Sequence, residues 1–329
     1  MPHFPGGAWR RRSLLAAGLG ALATAACVQG GFAQGVPAKP LALGPLPLGS
    51  KLELLGGLQI DDEALGFGGL SALHLDADLQ VTAISDLAHW MTARIEMRDG
   101  RPVGLSGLRT GPLSDGAGKP LPRGHSGDAE ALARLPDGTW LVGFERWHRI
   151  RAYQRIDGPG RYVQAPPGLE RAGGNGGLES LAALADGRLL AITEAMSVQD
   201  QPGVVRAWLG GPPGDWQALA YRPGEDLSPA DAAPLPDGGA LVLERSFSLF
   251  GGFGGRLVRL SAAALRAAGP ATVLEGEEIL RIATPLPVDN FEGVSAVRVG
   301  GRTLVAMVSD DNQNLLQRTL LLLFVLADD

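Results

Sequence analysis

The stretch "GGLESLAALADGRLLAITE", residues 176–194, decides the fold. Taken alone, its alanine, leucine and glutamate residues favour a helix. However, Asp186 and Gly187 interrupt it after a short apolar run, and an Asp-Gly pair between two apolar runs is typical of a β-hairpin turn. The stretch also carries a carboxylate near each end, at Glu179 and Glu194.

Related stretches recur along the chain, at residues 66–86, 127–146, 228–245 and 290–312. Strand-forming residues such as Trp140, Val142 and Phe144 replace alanine and leucine there. Because one structural unit must accommodate every copy, each is predicted to be a strand, a tight turn and a second strand. The turn centres are separated by 59, 49, 51 and 63 residues, and repeats near this length indicate a propeller or a solenoid.

The segments between the hairpins predict how the sheets are completed. Each of the first four hairpins is followed by two further strand-like segments, and the last hairpin by one. A strand near residues 51–55 would complete the last sheet and close the ring, which removes an open sheet edge. The sequence therefore predicts an all-β, five-bladed β-propeller. Six blades is the alternative if residues 36–66, 87–127 and 246–290 contain a degenerate unit.

Composition restricts the class of protein. The 329 residues are 45% hydrophobic and include 48 glycines and 24 prolines, which suits a large core with many turns. The formal net charge is −6, and the absence of a large basic, aromatic-interleaved patch argues against nucleic acid as a partner. Beyond the N-terminal region no apolar run reaches 18 residues, so no membrane span is predicted, and a monomer is expected.

The N-terminal region has the composition of an export signal. "RRSLL" at residues 11–15 resembles a twin-arginine signal, and a short apolar run follows it. We expect a signal peptide at 1–33, a linker at 34–49 and the propeller at 50–329, in a periplasmic or secreted protein. The expected cleavage site follows Ala26 or Ala33. General secretion is the alternative route. Cys27, the single cysteine, gives a lipid anchor as the minority interpretation.

Carboxylates recur at the ends of the predicted hairpins. The start of the first strand and the end of the second lie at the same edge, and in a propeller these edges converge on one face around the axis. The expected pairs are Glu130 with Glu145, Glu179 with Glu194, Glu292 with Asp310, and Asp231 with Glu244, the last shifted by one residue at each partner. The first copy offers only Asp86, because Gly68 stands where Glu292 stands in the last copy.

Such a ring of carboxylates predicts a cation site. Like charges repel in a partly desolvated funnel, whereas Ca²⁺ favours six to eight oxygen ligands. The predicted metal ligands are Glu179, Glu194, Glu292, Asp310, Asn175 and Asn290. The predicted catalytic residues are Glu130 or His125 as the base, and Arg146 and Arg245 as the binding groups for an anionic small-molecule substrate. The alternative is that these acids only cap the blades, by pairing with arginines or with backbone amides.

The motifs also resemble a known family. "GFGGLSAL", "GDAEALARLPDG", "GLESLAALADGRLLAITE" and the C-terminal "NFEGVSAV" with "VSDDNQNLLQRTLLLLF" resemble the bacterial phytase-like domain proteins, a family also described as "esterase-like activity of phytase". The resemblance implies a β-propeller and the hydrolysis of phosphoesters or esters. A lactonase-like enzyme and a non-catalytic periplasmic propeller that binds a ligand or partner are the alternatives.

Overall fold

The repeated hairpins form the two inner strands of five separate sheets. The structure is a computed structural model that describes residues 37–44, 46, 48, 51–211, 215–248 and 251–327. In this part of the chain the sheets are the blades of a five-bladed β-propeller, as predicted, and six blades are not formed. The predicted signal peptide, residues 1–33, lies outside the described residues.

The elements follow one another blade by blade. The chain begins with β1 (Ala38–Pro40), β2 (Leu52–Ile60) and α1 (Asp62–Leu65). Blade 1 consists of β3 (Leu70–Leu75), β4 (Gln80–Ser85), β5 (His89–Arg98) and β6 (Arg101–Pro112). Blade 2 consists of β7 (Ala129–Arg134), β8 (Trp140–Phe144), β9 (Arg149–Tyr153) and β10 (Arg161–Val163), followed by a 3₁₀ turn at Leu169–Arg171. Blade 3 consists of β11 (Leu178–Ala183), β12 (Leu189–Val198), β13 (Gln201–Gly210) and β14 (Gln217–Tyr221).

The last two blades carry the additions to this pattern. Blade 4 begins with β15 (Ser228–Pro234), β16 (Ala240–Ser248) and β17 (Gly252–Leu260). After β17 come α2 (Ala262–Ala267) and β18 (Val273–Leu274), and β18 lies parallel to β14 at the edge of blade 3. β19 (Glu277–Ile282) then completes blade 4. Blade 5 contains β20 (Asn290–Val299), β21 (Arg302–Asp310) and β22 (Leu320–Leu326).

The N-terminal strand closes the ring. β2 pairs antiparallel with β22, with Leu52 opposite Leu326, so the two ends of the propeller share blade 5. This confirms the predicted closure. β1 then adds to β2 at the outer edge, with Ala38 opposite Ile60. Part of the segment predicted as a linker, 34–49, therefore belongs to a sheet.

The Asp-Gly turns explain why the hairpins form at these positions. In blade 2 the Asp137 carboxylate accepts a hydrogen bond of 2.9 Å from the Thr139 amide. Gly138 follows with φ of 87°, a left-handed conformation that a side chain would strain. Gly187 and Gly238 adopt φ of 87° and 89° at the equivalent positions in blades 3 and 4. One local turn geometry therefore aligns the strands of three hairpins.

The core is divided among the contacts between neighbouring blades. Each of five buried apolar clusters joins side chains from two adjacent blades, and together they complete the circle. Between blades 1 and 2, for example, Trp90 packs with Trp140 and Phe144. A buried side chain of this size contributes about 1.5–3 kcal/mol relative to its exposed state. This packing fixes the inner strands around one axis, and with them the polar residues at their ends.

Candidate functional site

The first strand of each hairpin, which is the innermost strand of its blade, has a β-bulge close to its start. The register shifts by one residue in all five blades, which leaves one residue out of the ladder. A bulge of this kind re-aims the side chain of the extra residue. The bulged residues in blades 1 to 5 are Ser71, Glu130, Glu179, Ala230 and Glu292.

A second equivalent position lies at the end of the neighbouring strand in each blade. It directly follows the residue that pairs with the inner strand just before the bulge. The paired residues are Leu70 with Ser85, Ala129 with Phe144, Leu178 with Thr193, Pro229 with Glu244, and Phe291 with Ser309, and the position meant follows the second residue of each pair. The residues there in blades 1 to 5 are Asp86, Glu145, Glu194, Arg245 and Asp310. Four blades thus present a carboxylate at this position, and blade 4 presents an arginine.

These side chains converge on one region of the propeller. The buried Glu130 carboxyl is influenced by the charges of Glu179 and Glu292, from two other blades. Oxygen atoms of Glu145, Glu179 and Glu194 lie within 4.8 Å of one another. We call the converging set the axial acidic cluster, and it consists of Asp86, Asp128, Glu130, Glu145, Glu179, Glu194, Glu292 and Asp310.

Burial and mutual repulsion make the cluster hold protons. Burial, then the charges of Glu292 and Asp128, raise the pKa of Asp86 to about 7. Burial raises the pKa of Glu145 to about 7, with Glu194 adding to the shift despite an opposing hydrogen bond from the Gly177 amide. Burial and Glu292 raise the pKa of Asp310 to about 9. Without positive charge beyond that of the protein's own arginines, the cluster therefore resists full ionisation at neutral pH.

Arg245 is the basic member of the ring. Its Nη2 lies 3.3 Å from Glu194 Oε1 and 3.4 Å from Glu292 Oε1, so it bridges carboxylates from blades 3 and 5. Burial alone would lower the pKa of Arg245, but Glu292 and Glu179 raise it above its ordinary value. Its Nε is buried and has no hydrogen-bond partner among the described residues. The side chain therefore neutralises only part of the surrounding negative charge.

Asn290 contributes an unused oxygen to the same region. Its Nδ2 donates a hydrogen bond of 2.8 Å to Glu292 Oε1, while its buried Oδ1 has no hydrogen-bond partner in the part of the chain that the structure describes. A buried amide oxygen without a donor is energetically costly. Carboxylates with an amide oxygen form the donor set that hard cations such as Ca²⁺ prefer. The residues present therefore fit a cation of this type.

Some of the acids are also held by main-chain donors. Glu145 Oε1 accepts a hydrogen bond of 2.6 Å from the Gly177 amide, which links blade 2 to blade 3. Asp310 Oδ1 accepts one of 2.7 Å from the Asn312 amide. These contacts match the alternative in which the acids cap blades. Glu145 also receives a hydrogen bond from the Gly176 amide. Among the described residues, the Asn312 contact occupies one oxygen of Asp310, so the other stays available to a ligand.

The remaining predicted residues occupy the periphery of the cluster. Arg146 Nε forms an ion pair of 2.7 Å with Asp128 Oδ2. Burial raises the pKa of Asp128, although the Arg146 charge opposes this shift. His125 is exposed beside Asp128. Asn175 is exposed in the turn before β11, whereas the other predicted ligands are at the strand ends.

Two acids expected in the ring lie elsewhere. In blade 4 the bulge falls on Ala230, so Asp231 points away and accepts hydrogen bonds from the Ala232 and Val294 amides, both of 2.8 Å. Glu244 is fully buried and bound by the Gly224 amide and by Arg256. Both residues stabilise blade contacts, and the expected pairing of Asp231 with Glu244 in the ring is wrong.

Gly68 was expected to occupy the position in blade 1 that Glu292 occupies in blade 5. This expectation is wrong, because the structural equivalent of Glu292 in blade 1 is Ser71. A Cβ at Gly68 would lie 2.4 Å from Asp311 Oδ1, so this glycine makes room for Asp311. Asp311 accepts a hydrogen bond of 2.8 Å from the Gly69 amide and thereby links blade 5 to blade 1.

Asp128 and Asp311 were not predicted from the sequence as residues of this region. Asp128 lies two residues before Glu130, and because side chains alternate along a strand, this spacing could have placed both on one side. Asp311 is adjacent to Asp310 in "SDDN", and no local signal separates its role from that of its neighbour.

Comparison with known proteins gives a family match. The sequence profile of the phytase-like family, described as "Esterase-like activity of phytase", matches residues 65–313. No curated protein matches the chain. In the described part of the chain, no helix is long and apolar enough to span a membrane.

Several solved structures are similar in fold. A protein of unknown function from Dyadobacter fermentans is 12% identical, with coverage of 84% of this chain and 100% of that chain and a TM-score of 0.44. A gluconolactonase from Xanthomonas campestris is 11% identical, with coverage of 88% and 97% and a TM-score of 0.42. An α-L-arabinofuranosidase from Podospora anserina is 14% identical, with coverage of 82% and 94% and a TM-score of 0.47.

Proposed function

Because the chain belongs to the phytase-like family of proteins, we propose that it is an exported, metal-assisted hydrolase of phosphoesters or esters, with the axial acidic cluster as its reaction centre. The observation that carries this proposal is the convergence of buried carboxylates from different blades around one arginine. An enzyme that binds a cation and an anionic substrate at one place needs groups of both signs there. The N-terminal "RRSLL" and apolar run support export.

The proposed cation is Ca²⁺, held by oxygen atoms of the cluster. Glu179 and Glu194, whose oxygens lie within 4.8 Å of one another and of a Glu145 oxygen, are the principal candidates. Glu292, Asp310 and the buried Oδ1 of Asn290 are the further candidates. When bound, Ca²⁺ supplies positive charge that polarises the phosphoryl or carbonyl oxygen of the substrate. Asn175 is a less direct candidate because its side chain is exposed.

The chain's own residues supply the remaining chemistry. Arg245 faces the cluster from blade 4, and Arg146 lies beside Asp128, so both guanidinium groups can bind and orient an anionic group. Burial, and then the charges of Glu179 and Glu292, raise the pKa of Glu130 well above its usual value, so Glu130 would act as the base only when positive charge bound in the cluster favours its ionised form. His125, exposed beside Asp128, is the alternative base.

Hydrolysis of 4-nitrophenyl phosphate and 4-nitrophenyl acetate tests the proposal. Activity should require Ca²⁺, disappear in excess chelator, and fall strongly in Glu179→Ala and Glu292→Ala. Glu225→Ala, which removes an exposed carboxylate outside the cluster, is the matched control and should retain activity. Full activity in chelator, or in both cluster variants, would contradict the proposal.

The second candidate function is ligand binding without turnover. The hydrogen bonds from the Gly177 and Asn312 amides favour it, because they give Glu145 and Asp310 structural roles. This alternative predicts no hydrolysis of any ester, together with thermal stabilisation by the ligand. A panel of lactones separates a lactonase-like enzyme from both.

A further inference from the structure

Blade 2 carries a cleft that the proposed reaction centre does not use. The cleft has a volume of about 600 Å³, and its walls include Ser126, Trp147, Arg151, Arg161 and Tyr162. Trp147 and Tyr162 are 47% and 56% exposed, which is unusual for large aromatic side chains. Their ring centroids lie 6.1 Å apart at a tilt of 51°, so the rings form one bent aromatic wall. We call this feature the arginine–aromatic cleft.

Buried arginines hold the aromatic wall in place from behind. The Arg149 guanidinium lies 4.6 Å from the Trp147 ring centroid, and the Arg151 guanidinium lies 4.1 Å from that of Tyr162. Arg149 also donates a hydrogen bond of 2.7 Å to the Trp147 carbonyl, and Arg151 donates one of 3.0 Å to the Tyr162 hydroxyl. These contacts order two exposed rings in advance of any ligand, which reduces the entropy lost on binding.

The same arginines leave positive charge uncompensated. Arg149 and Arg151 are only 5% and 4% exposed, and neither forms an ion pair with the described residues. Their Nε atoms are buried and receive no hydrogen-bond partner from the residues that the structure describes. Burial and the neighbouring Arg151 lower the pKa of Arg149 to about 10, so it still carries its charge at neutral pH. Adjacent buried cations without a carboxylate partner are costly unless an anion compensates them.

An acid near this charge uses its hydrogen bonds elsewhere. Asp115 interacts electrostatically with Arg151. However, Asp115 Oδ1 accepts hydrogen bonds of 2.9 Å from both the Ala117 and Lys119 amides within its own turn. The cleft therefore keeps a net positive character on the side of Arg151 and Arg161.

The cleft adjoins the axial acidic cluster through the segments directly before β7 and after β8 of blade 2. Ser126 lies two residues before Asp128, and Trp147 lies two residues after Glu145. Two extended residues span at most about 7 Å. A small molecule is long enough to contact both regions.

We propose that the arginine–aromatic cleft binds an anionic aromatic molecule, with its planar ring against Trp147 and Tyr162 and its phosphate or carboxylate group toward Arg151 and Arg161. Planar rings stack on exposed aromatic faces, and guanidinium groups bind phosphate and carboxylate with matched geometry. The binding itself is independent of catalysis. Its role as a substrate subsite, which makes aryl phosphoesters the favoured substrate class, rests on the proposed function.

Calorimetry with phenylphosphonate, whose P–C bond resists hydrolysis, tests the proposal on the full chain in chelator. We expect saturable binding that Trp147→Ala weakens about five- to tenfold and that Trp147→Phe partly restores. Phe247→Ala is the matched control, because Phe247 is a similarly exposed aromatic residue on blade 4, and its affinity should equal that of the wild type. Methylphosphonate, which lacks the ring, should bind more weakly than phenylphosphonate.

Three results would overturn the proposal. They are the absence of saturable binding, equal affinity in Trp147→Ala and Phe247→Ala, and loss of binding in Glu179→Gln but not in Trp147→Ala. If the protein binds phenylphosphonate but hydrolyses no ester, the result would support ligand binding in the cleft and contradict only the proposed function.

Discussion

Arg245 occupies the position that a carboxylate occupies in the other four blades. This single exchange changes the cluster from a ring of like charges into a site with an acidic part and a basic member. Its guanidinium contacts Glu194 and Glu292, whose blades lie on either side of blade 4. The residue therefore couples the electrostatics of three blades.

Arg245→Met should destabilise the metal-free protein at pH 7 by about 2 kcal/mol, because the variant removes the guanidinium group that pairs with the Glu194 and Glu292 carboxylates. This value is below the range for a fully buried pair because Arg245 is partly exposed to solvent. Urea unfolding in chelator measures the change. Arg245→Lys keeps the charge and should lose less stability, and a Met variant as stable as the wild type would contradict this account of Arg245.

At the scale of elements, the hairpin with its bulge is the unit that builds both fold and site. The Asp-Gly turn fixes the distal end of the hairpin, and the bulge orients the polar residue at the axial end. Gly187 and Gly173 allow the contribution of the turn to be isolated. Within the described part of the chain, a Cβ would meet no atom within 4 Å at either glycine, but of the two only Gly187 has a positive φ, of 87°.

Gly187→Ala should therefore reduce the free energy of unfolding by about 1 kcal/mol through backbone strain alone. Gly173→Ala should be neutral or slightly stabilising, since it restricts only the unfolded chain. Thermal unfolding of the two variants measures the difference. Equal melting temperatures would show that the left-handed turn does not contribute to the stability of blade 3.

The sequence predicts the hairpins well because their signals are local. Asp-Gly turns, apolar runs of strand length and their repetition are sufficient for five blades and for closure by β2. Bulge positions are less accessible, since they depend on how each strand packs against the next blade. The sequence-based prediction therefore placed Asp231 in the ring, although the bulge falls one residue earlier, on Ala230. It also aligned Gly68 with Glu292, whereas the strand register aligns Ser71 with Glu292.

At the scale of the whole molecule, the links between blades and the axial acidic cluster use some of the same residues. Glu145 links blade 2 to blade 3, and Asp311, next to Asp310, links blade 5 to blade 1. Ionisation of the cluster should consequently act on the stability of the entire ring.

The raised pKa values give this coupling a definite sign. Unfolded Asp and Glu side chains ionise near pH 4, whereas folded Asp86 and Glu145 ionise near 7 and Asp310 near 9. Between about pH 4 and 9 the folded protein therefore binds more protons than the unfolded chain. By linkage, the free energy of unfolding of the metal-free protein falls as pH rises through this range.

The most direct test of the cation site is the melting temperature of the full chain at pH 5 and pH 8, in chelator and in Ca²⁺. In chelator it should fall from pH 5 to pH 8, and Ca²⁺ should restore it at pH 8 by binding the ionised cluster. Glu179→Gln should reduce both effects, and Glu225→Gln, an exposed control, should change neither. A melting temperature that does not fall with pH in chelator and does not respond to Ca²⁺ at pH 8 would contradict the central claim that the blades assemble a cation site.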